Sequence, residues 1–231
     1  KAVKDQGIPY PVALDNDFVT WNAFQNRSWP AGYLIDAEGK VRRIHEGEGE
    51  YDKTEAAMRA HLAEKGVNVD SIKMTTSAHM PPISANQTPE TYLGFARASN
   101  FDNAKAIAAA PTQNFTAVAT LPKNHWTLGG TWEVNGQTII ARGNSTLKFH
   151  IAAKEAYLVM GSKTAVSVGI TLNGKPISTL GFGGADVKDS AITVGENRLY
   201  RLVKYPSFMD DGTIELTVPD GVELNAFTFG S

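Results

Sequence analysis

The residues in this chain best equipped for chemistry mostly lack the partners or the spacing that chemistry requires. None of the 231 residues is cysteine, so neither a thiolate nor a disulfide can form within the chain. Five histidines, His45, His61, His79, His125 and His150, fall at no metal-ligand spacing, and no metal or other cofactor is expected. Glu46, Glu48 and Glu50 alternate with glycines and resemble an acidic pair for proton transfer. Ahead of a helix, however, they read as solvated loop and first-turn charges favoured by the helix dipole. Gly181-Phe182-Gly183-Gly184 lacks the Gly-Lys-Ser/Thr ending and the following helix of a phosphate cradle, and no serine sits in a Gly-x-Ser-x-Gly elbow. Asp186, Asp189, Asp210, Asp211 and Asp220 can lend oxygens to a structural calcium but do not form an EF-hand loop.

Two sets of residues carry sharper possibilities. Pro30 stands just ahead of a strand-like run, where a proline cannot join a ladder and marks a fixed bend, either a cis X-Pro bond after Trp29 or an ordinary trans one. Farther on, Trp126 and Trp132 lie between turn signals, and Tyr92, Tyr157, Tyr200 and Tyr205 are also available. Sugars stack their C–H faces on aromatic rings while polar side chains take the hydroxyls. Trp126 and Trp132 suit that role, with Arg97, Arg142 and Glu133 as polar partners; they suit the plugging of a core equally well.

The elements that must position these residues follow in order. Lys1 to Gly7 reads as a helix end, Pro9 to Leu14 as a short buried strand, and Asp15 to Gln25 as a helix capped by the Asp15-Asn16-Asp17 run. Tyr33-Leu34-Ile35 and Val41 to Ile44 form a hairpin about Asp36-Ala37-Glu38-Gly39. Asp52 and Glu55 form a capping-box variant for a helix that Gly66 stops. Residues 67–90 are rich in Thr, Ser, Ala and Pro and read as a linker. From there on, apolar alternation recurs at Leu147–Ile151, Val166–Leu172, Leu199–Val203, Ile214–Val218 and Ala226–Phe229. Between the runs lie Gly129-Gly130, Asn135-Gly136, Gly143-Asn144, Asn173-Gly174, Asp211-Gly212 and Asp220-Gly221, the punctuation of an all-β module of sandwich or jelly-roll type. Asn173-Gly174 is the strongest hairpin signal, and Asp102 to Ala110 is either a helix or an irregular loop.

Composition narrows the class. The chain is long enough for two ordinary domains, and 42% hydrophobic with 20% charged residues is usual for a globular chain. A formal charge of −2 argues against a nucleic-acid partner. There is no apolar run long enough to span a membrane, and the start at Lys1 suggests a processed or excised piece.

The phrases Trp29 to Gly39 (WPAGYLID-x-x-G) and His45 to Glu55 (HEGEGEYDKTE) resemble the C-terminal half of a thioredoxin-fold domain of the DipZ type. The runs TPETYLGFAR (88–97) and FTFG (227–230) resemble the carbohydrate-binding-module-like region that follows it in the same family. The implied fold is α/β plus all-β. Residues 1–66 are half of a thioredoxin-like domain, 67–90 a linker and 91–231 a jelly-roll-like β-sandwich. By the same resemblance, Pro30 is the cis-proline and Trp29 the residue before it, where the backbone of a protein substrate pairs. The family's Cys-x-x-Cys helix and the strand carrying it have no counterpart here. The chain is therefore expected to be a fragment, or to have that gap filled by another segment or a second copy. The implied whole is a membrane-tethered, extracytoplasmic thiol–disulfide oxidoreductase of the cytochrome c biogenesis type. Its partners would be its own CcdA-like membrane domain, exported thiol or disulfide proteins, and cell-wall carbohydrate. The alternatives are a non-catalytic glycan-binding module and a domain that braces the redox unit.

Overall fold

The computed structural model describes residues 2–5, 7–74 and 85–230. The chain divides into two compact units, Lys1–His79 and Met80–Ser231. Of the expected linker at 67–90, residues 75–84 lie outside the described residues.

The first unit contains α1 (Ala2–Asp5), α2 (Val19–Ala23), β1 (Ala31–Ile35), β2 (Val41–Glu46) and α3 (Tyr51–Glu64). Asp15 starts α2 by accepting the amides of Thr20 and Trp21 at 2.9 and 2.8 Å, and these bonds hold its carboxyl below the usual range. The helix is shorter than its sequence suggests because Phe18 and Gln25 take φ of +57° and +54°, outside helical geometry. The hairpin forms about Asp36, whose Oδ1 accepts the amides of Glu38 and Lys40, with Gly39 at φ +76°. Tyr33 pairs with Ile44 across the two strands. Helix α3 begins at Tyr51 with Glu50 at its cap position and no side-chain capping bond, so Asp52 lies in the first turn and not at the expected cap. Gly66, at φ +77°, follows its end.

Pro9 to Leu14 departs from expectation. It forms no strand, and Tyr10, Val12 and Leu14 are 64%, 51% and 86% exposed. A strand needs a neighbour to take its amides and carbonyls, and β1 and β2 pair only with each other. Among the described residues of this unit no apolar residue is fully buried.

The second unit runs β3 (Thr91–Tyr92), β4 (Ala110–Phe115), β5 (Trp126–Val134), β6 (Ile139–Ala141), β7 (Ser145–Gly161), β8 (Val166–Leu172), β9 (Lys175–Pro176), α4 (Ile177–Leu180), β10 (Val187–Lys188), β11 (Ala191–Val194), β12 (Arg198–Val218) and β13 (Glu223–Gly230). The strands join in one antiparallel network of order β10-β11-β8-β12-β7-β13-β6-β5-β4, with β3 on β13 and β9 on β8. Residues 102–109 form no helix. Asn173 and Gly174 take φ of +51° and +71°, as a two-residue β8–β9 turn requires.

Runs that read separately in the sequence are joined in β7 and β12, which pair along their length with register shifts between Arg201 and Gly212. The first part of β7 pairs with β5 and its last part with β13. Phe227 of β13 is the partner of Leu158, nine residues along β7 from Phe149. A straight strand would put about 30 Å between those positions. The rings of Phe149 and Phe227 are instead 5.1 Å apart, so β7 bends and its two parts face each other across one core. That core includes Trp126, Trp132, Phe149, Leu158, Tyr200 and Phe227, all fully buried or nearly so.

Two expected turns lie inside strands. Gly129-Gly130 belongs to β5 and Asp211-Gly212 to β12. A Cβ on Gly129 would meet Thr146 Oγ1 at 2.6 Å, and one on Gly212 would meet the Tyr205 hydroxyl at 2.6 Å. Glycine is required there for close approach, not for reversal of the chain.

Candidate functional site

The Trp29–Pro30 peptide bond is cis, directly before β1. The Pro30 carbonyl accepts the Gly47 amide at 2.8 Å, which ties the loop to the far end of the hairpin. Tyr33 of β1 holds α2 against this loop: its ring lies 4.7 Å from that of Phe24, and its hydroxyl donates to the Phe24 carbonyl at 3.1 Å and also contacts the Asn26 side chain. Trp29 is 63% exposed, with its ring 4.1 Å from that of Trp21, which in turn meets Phe18 edge-on. Among the described residues, nothing hydrogen-bonds to the Trp29 amide or carbonyl. The loop therefore offers an exposed indole beside two unpaired main-chain groups. An extended peptide can use that arrangement by strand addition.

The neighbouring glutamates are engaged elsewhere. Glu50 pairs with Lys53 and with Arg43 at 2.7 Å, and these partners hold its carboxyl below the usual range. Glu48 accepts the Tyr51 hydroxyl at 2.8 Å. Glu50, neutralised by its two cations, braces the turn, and Glu48 is tied to the first residue of α3.

In the β unit the two tryptophans singled out for sugar stacking are in the core. Both rings are fully buried. Trp126 Nε1 donates to the Ser99 carbonyl at 2.8 Å and Trp132 Nε1 to the Gly129 carbonyl at 3.0 Å, so each indole satisfies its one polar atom internally. Neither presents a face to a sugar, and the stacking role assigned to them is corrected to a packing role. Of their proposed polar partners, Arg142 pairs with Glu133, and Arg97 lies 3.4 Å over the ring of Tyr92.

Among the four tyrosines, Tyr200 and Tyr205 are buried, whereas Tyr92 and Tyr157 are only partly covered. Strand register places both on the outer face of β3, β13, β7 and β12. One cross-strand row is Tyr92–Ala226–Val159–Leu199, and the next is Thr228–Tyr157–Arg201. The Tyr157 hydroxyl donates to Glu155, which also pairs with Lys204 at 3.3 Å. Partial burial, with Glu155 beside it, raises the phenol to about 12, so it remains a neutral donor near neutral pH. The signal for this pair was strand alternation: Ala156, Leu158 and Met160 are buried, which turns Tyr157 outward.

The aspartates considered for calcium are dispersed among separate partners. Asp186 holds Arg198, Asp210 holds Lys123, Asp211 holds His150, and Asp220 accepts the Gly143 amide. Among the described residues no three His, Asp or Glu side chains gather as a metal site. No helix among them is long and apolar enough to cross a membrane.

The sequence profile of the family described as "Thioredoxin like C-terminal domain" matches residues 88–230, the β unit. Over 233 aligned positions the chain is 33% identical to Protein DipZ of Mycobacterium bovis and, equally, to Protein DipZ of Mycobacterium tuberculosis. Each alignment covers 100% of this chain and 31% of the relative, so the chain spans about a third of the length of the curated proteins it matches.

Proposed function

The chain belongs to the thioredoxin-like C-terminal domain family, and we propose that it is the extracytoplasmic C-terminal part of a membrane-tethered thiol–disulfide oxidoreductase. In this reading residues 1–66 are the half of a thioredoxin-like domain that docks substrate, and the Cys pair belongs to a segment outside this chain. The observation that carries it is the Trp29 loop, an exposed aromatic ring beside unpaired main-chain groups at the entry to a hairpin. A client segment that carries a disulfide, laid along that loop, would be held while one active-site thiolate attacks the disulfide and releases a client thiolate. The second active-site thiolate then resolves the mixed disulfide, so that two electrons pass to the client. Exported proteins are the clients, cytochrome maturation is one destination for the electrons, and the CcdA-like membrane domain is their source.

The β unit, in the same proposal, is a sandwich of jelly-roll type. The bend in β7 that brings Phe149 onto Phe227 supports this. Its partly exposed Tyr92 and Tyr157 favour a second role, glycan binding, over bracing alone.

The test is insulin reduction by a longer protein that contains the segment before Lys1. Activity should vanish when either Cys of that segment is replaced. Trp29→Ala should raise the KM for insulin at least fivefold while reduction of a small aromatic disulfide is unchanged. Equal loss on both substrates would remove the docking role, and the absence of a Cys pair upstream would remove the redox reading.

A further inference from the structure

We propose that the outer face of β3, β13, β7 and β12 binds an anionic polysaccharide, with Tyr92 and Tyr157 supporting sugar rings and Arg97 and Arg201 holding carboxylates or phosphates. This rests on the glycan reading of the β unit and adds the site and the charge of the ligand.

The face is built by register. Tyr92 lies two strands from Val159, and Tyr157 is two residues along β7 from Val159 on the same side. Strand spacing puts the two tyrosines about 12 Å apart at Cα, the scale of an oligosaccharide and not of one sugar. Between them lie Ala226 and Val159, and Leu199, 40% exposed, extends the row at the β12 end. In the β unit the only other large apolar side chains so exposed, among the described residues, are Phe95 and Met209. Both rings are held before any ligand arrives. Tyr92 donates to Glu90 at 2.7 Å and carries the Arg97 guanidinium on its face, while Tyr157 donates to Glu155. Pre-ordered rings lose little conformational entropy on binding.

Charge on this face selects the ligand. Lys204 is paired with Glu155 and Arg198 with Asp186. Among the described residues neither Arg97 nor Arg201 forms a close ion pair, and Asp186, which is paired with Arg198, acts on Arg201 only through space, in a chain whose net charge is −2. A planar guanidinium outside a close ion pair suits a carboxylate or phosphate through paired N–H donors. An acidic peptide would meet the same charges, but an extended peptide draws its affinity from the free edge of a strand. Here β13 and β7 are paired on both sides, and what they expose is a face.

The test is calorimetric titration of the full chain with hexagalacturonate, with maltohexaose and with hexaglutamate. Hexagalacturonate should bind, and maltohexaose should bind at least tenfold more weakly. Tyr157→Ala and Arg201→Gln should each weaken hexagalacturonate at least tenfold, and Tyr157→Phe should preserve it, with circular dichroism unchanged in all three. Hexaglutamate binding as tightly as hexagalacturonate would overturn the proposal in favour of a peptide dock. Maltohexaose binding equally well would overturn the role of charge. Glycan binding that neither Tyr157→Ala nor Arg201→Gln weakens would remove this site but keep the glycan reading; no binding of either glycan would remove both.

Discussion

In residues 7–74 many large apolar side chains stand in solvent and none is fully buried: Leu14 is 86% exposed, Val19 70% and Ile44 55%. In residues 85–230 Trp132, Leu158 and Phe227 are fully buried within a core to which nearly every strand contributes. Both regions have well-formed hydrogen-bonded turns and ladders, so local structure does not separate them. The difference is a second layer. The bend in β7 brings one part of the β sheet over the other, and each buried Leu or Phe then contributes about 1.5–3 kcal/mol. The hairpin and α3 of the first region carry apolar side chains that the other described elements of their own unit leave exposed. Secondary structure can be specified by neighbours in sequence, but a core requires a partner surface.

A first way to sharpen the contrast is to remove one side chain from each region. Trp132→Ala should cost about 3–5 kcal/mol and lower the urea midpoint of the main unfolding transition, because it leaves a cavity in a closed core. Met58→Ala, at a 42% exposed position on α3, should leave that midpoint where it was. A comparable shift from both would mean that the first region is packed into the same cooperative unit.

A smaller effect comes from charge. Burial works against the Asp186 carboxylate, but the Arg198 guanidinium and the Arg201 amide, each at 2.8 Å, outweigh it and hold the group below its ordinary 3.8. A depressed folded-state value means stability that is present above pH 3.8 and lost as pH falls through that lower value. Asp186→Asn should therefore be less stable than the parent at pH 7, with the gap closing in acid below pH 3.8 in urea titrations at stepped pH. A gap that widened in acid would reverse the sign of the linkage.

How much of this was legible in the sequence depends on the range of the forces involved. Turns set by one or two residues were plain: Asp36 to Gly39 and Asn173-Gly174 occur as their residue types suggest. The bend at Pro30 was also visible, since proline acts on its own peptide bond. Pro9 to Leu14 has strand character that its residues alone cannot realise, because pairing is supplied from elsewhere in space. The union of 199–203 with 214–218 in β12 was hidden because the intervening Asp211-Gly212 carries a turn's composition. For the candidate sites, residue type misled and spacing would have helped. Trp126 alternates with Leu128, and Trp132 with Val134, which puts both indoles on the inner face. By the same rule Tyr157 falls between inner residues and looks outward.

Hydrogen exchange read by mass spectrometry tests most directly whether the first region is half of a domain. The chain would be compared with a longer protein that also contains the segment before Lys1. Amides of residues 147–160 should be strongly protected in both. Those of 31–46 should exchange within about tenfold of the unstructured rate in the chain alone and become protected by at least a hundredfold more in the longer protein. If residues 31–46 are already as protected in the chain alone as in the longer protein, the hairpin is complete without a second layer, and the half-domain account is wrong.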